Sequence, residues 1–179
     1  WPHRFETRAL LALIRSVQGQ KAAEGIAFLR GTGEDPGYYD VSLAIDVGTE
    51  LLKRKRPADA RPWLEYALRR DAWNSEAAIG LAEAVHRLEG GNAAVGILQS
   101  AIERNPDNPL LWENIASHYC LLGNWDLATK CFRKSEEIAP YRYERLLKWA
   151  QAMVRLRQYS RARRPTHAYL GATPGEPRG

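Results

Sequence analysis

Apolar residues recur three and four positions apart along most of this chain, in short runs separated by Gly, Asn or Pro. Residues 109–140 show the pattern most clearly. Ile115, Tyr119 and Leu122 lie at helical spacing, Gly123-Asn124 interrupts them, and Ala128 and Phe132 resume the spacing until Pro140. Asn108 is placed to cap the first of these helices. Pro109 can occupy its first turn, where a missing N–H costs nothing. Gly123-Asn124 supplies a stop and a new cap, and a second helix is expected from about Asp126 to Ile138. Asn74-Ser75, Gly90-Gly91-Asn92 and Pro57 punctuate other segments in the same way. No stretch alternates with strand period for long, so the expected fold is all-α.

The helical segments also repeat as a unit. Trp112, Ile115-Ala116, Tyr119, Gly123, Ala128, Phe132 and Pro140 have counterparts 34 residues earlier in Ala78, Leu81-Ala82, Val85, Glu89, Ala94, Leu98 and Pro106. A further 34 back stand Ala44, Val47-Gly48, Leu51, Lys55, Ala60, Leu64 and Ala72. Forward by 34 come Leu146, Trp149-Ala150, Met153, Arg157 and Ala162. Two phases carry only small residues: Gly48, Ala82, Ala116 and Ala150 on one, Ala60, Ala94, Ala128 and Ala162 on the other. Small side chains at fixed phases let neighbouring helices approach closely.

The pattern W-x2-I-A-x2-Y…A-x3-F…P across 112–140 resembles the tetratricopeptide repeat. On that resemblance, residues 109–142 form a nearly complete repeat and 75–108 a good one. Residues 41–74 form a looser repeat, with Ala72 where proline is usual, and 143–164 a first helix and the start of a second. The implied fold is a right-handed superhelix of antiparallel helical hairpins, an α-solenoid whose units share one continuous core. Residues 1–40 read as a capping region: a degenerate helical hairpin over 4–30, then the loop GTGEDPG at 31–37. Pro165 is expected to cut the last helix short, and 165–179 to form a partly disordered tail.

Charge adds a polarity. Residues 143–179 hold eight basic and two acidic residues, a net +6, which leaves −1 for residues 1–142. Such a split concerns a partner more than a fold. Two cysteines make no disulfide framework. The run Ala9–Ile14 is too short to span a bilayer, and no transmembrane segment is expected. The chain opens on Trp1, which leaves open whether it is a fragment of a longer protein and whether its compartment is the cytoplasm or the periplasm.

Candidate chemistry is sparse. His118 and Cys120 point in different directions on one helix, and Cys131 lies well past the turn. No CxxC, HExxH or carboxylate cluster accompanies them, so no metal site, cofactor or catalytic residue is expected. GTGEDPG lacks the Lys-Ser/Thr and the preceding strand of a phosphate loop. Trp63, Trp73, Trp112, Trp125 and Trp149 are expected at packing or inter-repeat positions. Lys53-Arg54-Lys55-Arg56 reads as a solvated helix end that complements the helix dipole. No recognised nucleic-acid module is present, and no nucleic-acid partner is expected.

Members of the resembled family are generally non-catalytic scaffolds, binding a peptide or protein segment in a concave groove lined by first helices. The resemblance places on this groove Ser42, Ile45, Asp46, Thr49 and Lys53, then Glu76, Ile79, Glu83, His86 and Arg87. Glu113, Asn114, Ser117, Cys120 and Leu121 follow, then Leu147, Lys148, Gln151, Val154 and Arg155. Thr49, Lys53, Glu83, His86, Arg87, Asn114, Ser117, Lys148, Gln151 and Arg155 are the candidate contacts. The groove runs from mixed-acidic to basic, so a partner with an acidic segment near Lys148 and Arg155 is expected. The Lys/Asn/Arg set with which chaperone-binding relatives clamp a carboxylate is matched only at Asn114; Ile45, Thr49, Gly80 and Leu110 fill the other positions. Two alternatives stand beside the scaffold: an arm of a larger enzyme such as a glycosyltransferase, and a self-associating oligomer.

Overall fold

A computed structural model describes residues 37–140, 143–157, 162 and 165–166. The expected N-terminal hairpin over 4–30 and the end of the tail lie outside the described residues. Among those described there are seven α-helices and no strand. They are α1 (Gly37–Lys53), α2 (Pro57–Arg70), α3 (Ser75–Glu89), α4 (Gly91–Arg104), α5 (Pro109–Leu121), α6 (Trp125–Ile138) and α7 (Tyr143–Arg155). No helix among the described residues is long and apolar enough to cross a membrane.

The sequence period is also a structural one. Helices α2, α4 and α6 are each 14 residues long and start at Pro57, Gly91 and Trp125, 34 residues apart. Helices α3, α5 and α7 start at Ser75, Pro109 and Tyr143, again 34 apart. Local chemistry sets these starts. Asn74 Oδ1 accepts from the Ala77 N–H at 3.0 Å, and Asn108 Oδ1 from the Leu110 N–H at 2.9 Å. Pro57 and Pro109 sit in first turns, where no backbone bond is lost. The cap expected from Asn124 does not form. At ψ 62° this residue leaves the extended region that Asn74 and Asn108 occupy, and its side chain makes no cap bond.

Helix ends follow the period too. Gly123 adopts φ +76°, its N–H bonding Cys120 O at 3.1 Å while Asn124 N–H reaches Tyr119 O at 2.8 Å. This paired closure satisfies the last carbonyls of α5. The same pair ends α1, where Lys55 N–H bonds Leu52 O and Arg56 N–H bonds Leu51 O, with Lys55 at φ 59°. Arg157, on the same phase after α7, has φ 56°. Lysine and arginine carry a cost of about 1–2 kcal/mol in this left-handed region that glycine avoids. In the remaining repeat Glu89 stays helical and Gly90 takes the turn at φ +98°.

The chain forms two compact units, residues up to Ile97 and residues from Leu98. In the first, α1, α2 and α3 share a core that includes Val47, Leu51, Trp63, Leu64, Leu81 and Val85. Leu64 of α2 is seated against two glycines. A Cβ at Gly48 of α1 would lie 2.6 Å from Leu64 Cγ, and one at Gly80 of α3 would lie 2.9 Å from Leu64 Cδ2. In the second unit α5, α6 and α7 bury Leu111, Ile115, Phe132, Leu146, Trp149 and Met153. All eight small residues on the two repeating phases are buried.

One sequence expectation is corrected. Trp73 is not at a packing position: it is 66% exposed in the turn after α2, its N–H held by Asp71 Oδ1 at 3.1 Å. The polar turn closes through its aspartate, which leaves the indole outside. Pro165 does not interrupt helical geometry at its own position. It is buried and helical; Thr166 is helical and exposed, and its hydroxyl donates to the Ala162 carbonyl at 2.8 Å.

Gly48→Ala should destabilise the protein. Alanine improves helix propensity by about 1 kcal/mol, but it forces the branch carbon of a fully buried leucine to move, at about 1–3 kcal/mol. Urea unfolding followed by circular dichroism is expected to show a lower midpoint; a higher one would contradict the close approach.

Candidate functional site

Helices α5, α6 and α7 enclose an open cavity of about 800 Å³ within the second unit. That volume falls in the range of small-ligand and side-chain pockets. Ser117, Cys120 and Leu121 line it from α5, one helical turn apart. Trp125 and Phe132 come from α6, and Lys148, Gln151, Val154 and Arg155 from α7, with Ala150 and Ala152 behind them. Leu121 is 68% exposed and Val154 47%, an apolar surface left open to solvent. Lys148 and Arg155 are exposed, and no carboxylate lies among the described lining residues. The cavity therefore pairs an apolar wall with two cations.

The candidates predicted for the groove divide between the two units. Ser117, Lys148, Gln151 and Arg155 all line this cavity, together with Cys120, Leu121 and Val154. Asn114 is turned onto its own helix, its Nδ2 donating to Leu110 O at 2.8 Å. In the first unit Arg87 pairs with Glu83, Nη2 to Oε1 2.7 Å, and its Nη1 caps the Leu52 carbonyl at the end of α1 at 2.7 Å. Lys53 stands 3.7 Å from Glu50. Thr49 and His86 are half-buried.

Glu113, expected on the groove, belongs instead to a buried cluster around Arg145. That arginine was missed because a single phase rule counts it only as part of a basic C-terminal segment. Its position next to the core landmark Leu146 was the available signal. The run Lys53–Arg56 is mostly paired locally: Arg54 Nε to Glu50 at 2.9 Å and Arg56 Nε to Asp59 at 2.7 Å. The Arg54 hydrogen bond holds the Glu50 carboxyl below its ordinary range.

The cysteines and His118 do not gather. Among the described residues no group of three His, Cys, Asp or Glu side chains could hold a metal. His118 is buried and both cysteines are free. Burial pushes the Cys131 thiol up to about 11, with Cys120 adding to the shift. Burial also raises Cys120, but the Lys148 ammonium opposes the rise.

Residues 51–113, from the end of α1 to the first turn of α5, match the family model of the tetratricopeptide repeat. This segment carries the tetratricopeptide-repeat signature. The fold is shared with the crystal structure of MamA protein, at 19% identity over 96% of this chain and 92% of that one, with a TM-score of 0.67. A second MamA crystal structure gives 20% identity, 88% and 91% coverage, and 0.66. MamA residues 41 to the end from Desulfovibrio magneticus RS-1 give 11%, 93% of each chain, and 0.66. At these identities the likeness is one of fold. No curated protein matches the chain in sequence.

The two thiols of this repeat protein should differ in reactivity. At pH 8, iodoacetamide is expected to modify Cys120 about tenfold or more faster than Cys131, read by mass spectrometry of the tryptic peptides. The Cys131 thiol titrates higher in the folded state than in the unfolded one. Its contribution to stability is thus complete below about pH 9 and is lost as pH rises toward 11. Equal rates at pH 8 would contradict the burial of Cys131.

Proposed function

We propose that this chain is a non-catalytic protein-interaction scaffold that takes a peptide or protein segment in the α5–α7 cavity. The observation that carries the reading is the convergence of Ser117, Lys148, Gln151 and Arg155 on one apolar-walled cavity. Leu121, Trp125 and Val154 offer an apolar side chain a place to leave water, at roughly 25 cal/mol per Å² of apolar surface buried. Lys148 and Arg155 then select a neighbouring carboxylate and exclude basic segments. The fitting partner is a segment with an apolar residue flanked by Asp or Glu. Thr49, Lys53 and His86 lie in the first unit and are proposed as contacts of that unit by itself. Glu83 and Arg87 are less available, because each already holds the other. Asn114 contributes only by releasing Leu110.

The test is selection from a display library of ten-residue peptides against the intact chain. Peptides bearing an apolar residue beside Asp or Glu should be enriched. Their affinity should fall by about ten- to a hundredfold in the double variant Lys148→Glu/Arg155→Glu, with far-ultraviolet circular dichroism unchanged. Raised salt should weaken the wild-type complex as well. Enrichment of basic peptides, or affinity that survives the charge reversal, would overturn the assignment.

A further inference from the structure

Arg145 has the only fully buried side chain among the Asp, Glu, Lys and Arg residues described. Its guanidinium reaches the ends of two neighbouring helices. Nη1 donates to Glu113 Oε1 at 3.2 Å on α5, and to Ser135 Oγ at 3.1 Å and Ser135 O at 3.2 Å on α6. Nη2 donates to the Ala139 carbonyl at 2.7 Å, just past α6, and pairs with the Glu136 carboxylate. Ser135 extends the cluster, with the Pro109 carbonyl 2.9 Å and Glu113 Oε1 3.1 Å from its hydroxyl. One side chain near the start of α7 is thus bonded to the first turns of α5 and the last turn of α6.

The remaining anchors of α7 are Leu146, Trp149, Ala152 and Met153, all buried. Apolar burial is non-directional and tolerates small rotations and shifts of a helix. Trp149 adds no direction, since its buried Nε1 has no hydrogen-bond partner. A charge-assisted fan with five acceptor atoms does not tolerate such shifts. A slip of α7 by one residue turns every side chain by about 100°. It would carry Lys148 off the cavity and take the guanidinium away from Glu113 and Glu136.

We infer that Arg145 is a positioning residue: it fixes the register of α7 against α5 and α6 and so presents Lys148, Gln151 and Arg155 to the cavity. The inference rests on the proposed function only for what that presentation serves. Its test needs no partner, so failure of one does not imply failure of the other.

Hydrogen exchange on the intact chain, resolved by peptide, reads how firmly α7 is held, and alkylation of Cys120 reads the face it presents to the cavity. In Arg145→Met the α7 amides should exchange about tenfold or more faster, while the middle of α5 and α6 changes less. Arg145→Lys keeps the charge without the fan and should restore α7 only partly. The triple variant Arg145→Met/Glu113→Gln/Glu136→Gln removes these three described charges together and guards against simple unfolding. It should regain most of the thermal midpoint while α7 exchange stays fast and the alkylation rate of Cys120, on the cavity wall, stays altered. Equal acceleration across α5, α6 and α7 would reduce Arg145 to general stabilisation. Wild-type α7 exchange and Cys120 reactivity in the triple variant would overturn the inference.

Discussion

The close approach of helices at small side chains is the constraint on which this structure depends. Leu64 fits between α1 and α3 because positions 48 and 80 carry no Cβ that would occupy its space. The same logic recurs at Ala82, Ala116 and Ala150, and at Ala60, Ala94 and Ala128, all of them buried. A single helical hairpin has no way to cover its own apolar face, so each unit must be flat enough at these points to receive its neighbour. The period of 34 is the spacing at which small residues return to the face that needs them. It fixes the helix starts before any partner is considered.

That constraint explains which features were legible from residues alone. Small and large apolar positions follow helix phase, and phase survives translation by one repeat. Asn74, Asn108, Pro57 and Pro109 act within a turn of their own positions, so their roles were readable as well. Asn124 failed as a cap because the closing turn before it sets its backbone away from the extended region. Lys55 and Arg157 hold a left-handed turn that their residue types do not announce; only their register with Gly123 does. Trp73 was misplaced because aromatic character was read without the polar turn that carries it.

The candidate site shows the same division. Phase identified the α5 and α7 faces that meet at the cavity, including Ser117, Lys148, Gln151 and Arg155. Phase did not show which polar side chains already have partners. Glu113 lies on the right helix but turns to Arg145, and Glu83 is held by Arg87. Such pairings join residues up to 35 positions apart and depend on side-chain reach, which a repeat alignment does not contain. They also revise the meaning of the basic C-terminal segment. Arg145 is an internal cation with acidic neighbours, so among the described side chains of α7 the exposed cations are Lys148 and Arg155.

The proposed partner site is the α5–α7 cavity. A photo-crosslinking residue at exposed position 121, on the cavity, compared with one at exposed position 73 in the other unit, tests it most directly. With a library-selected acidic–apolar peptide, crosslinks are expected from position 121 and none from position 73, and Lys148→Glu/Arg155→Glu should suppress the former. Crosslinks from position 73 instead, or none from position 121 while the peptide remains bound, would contradict it.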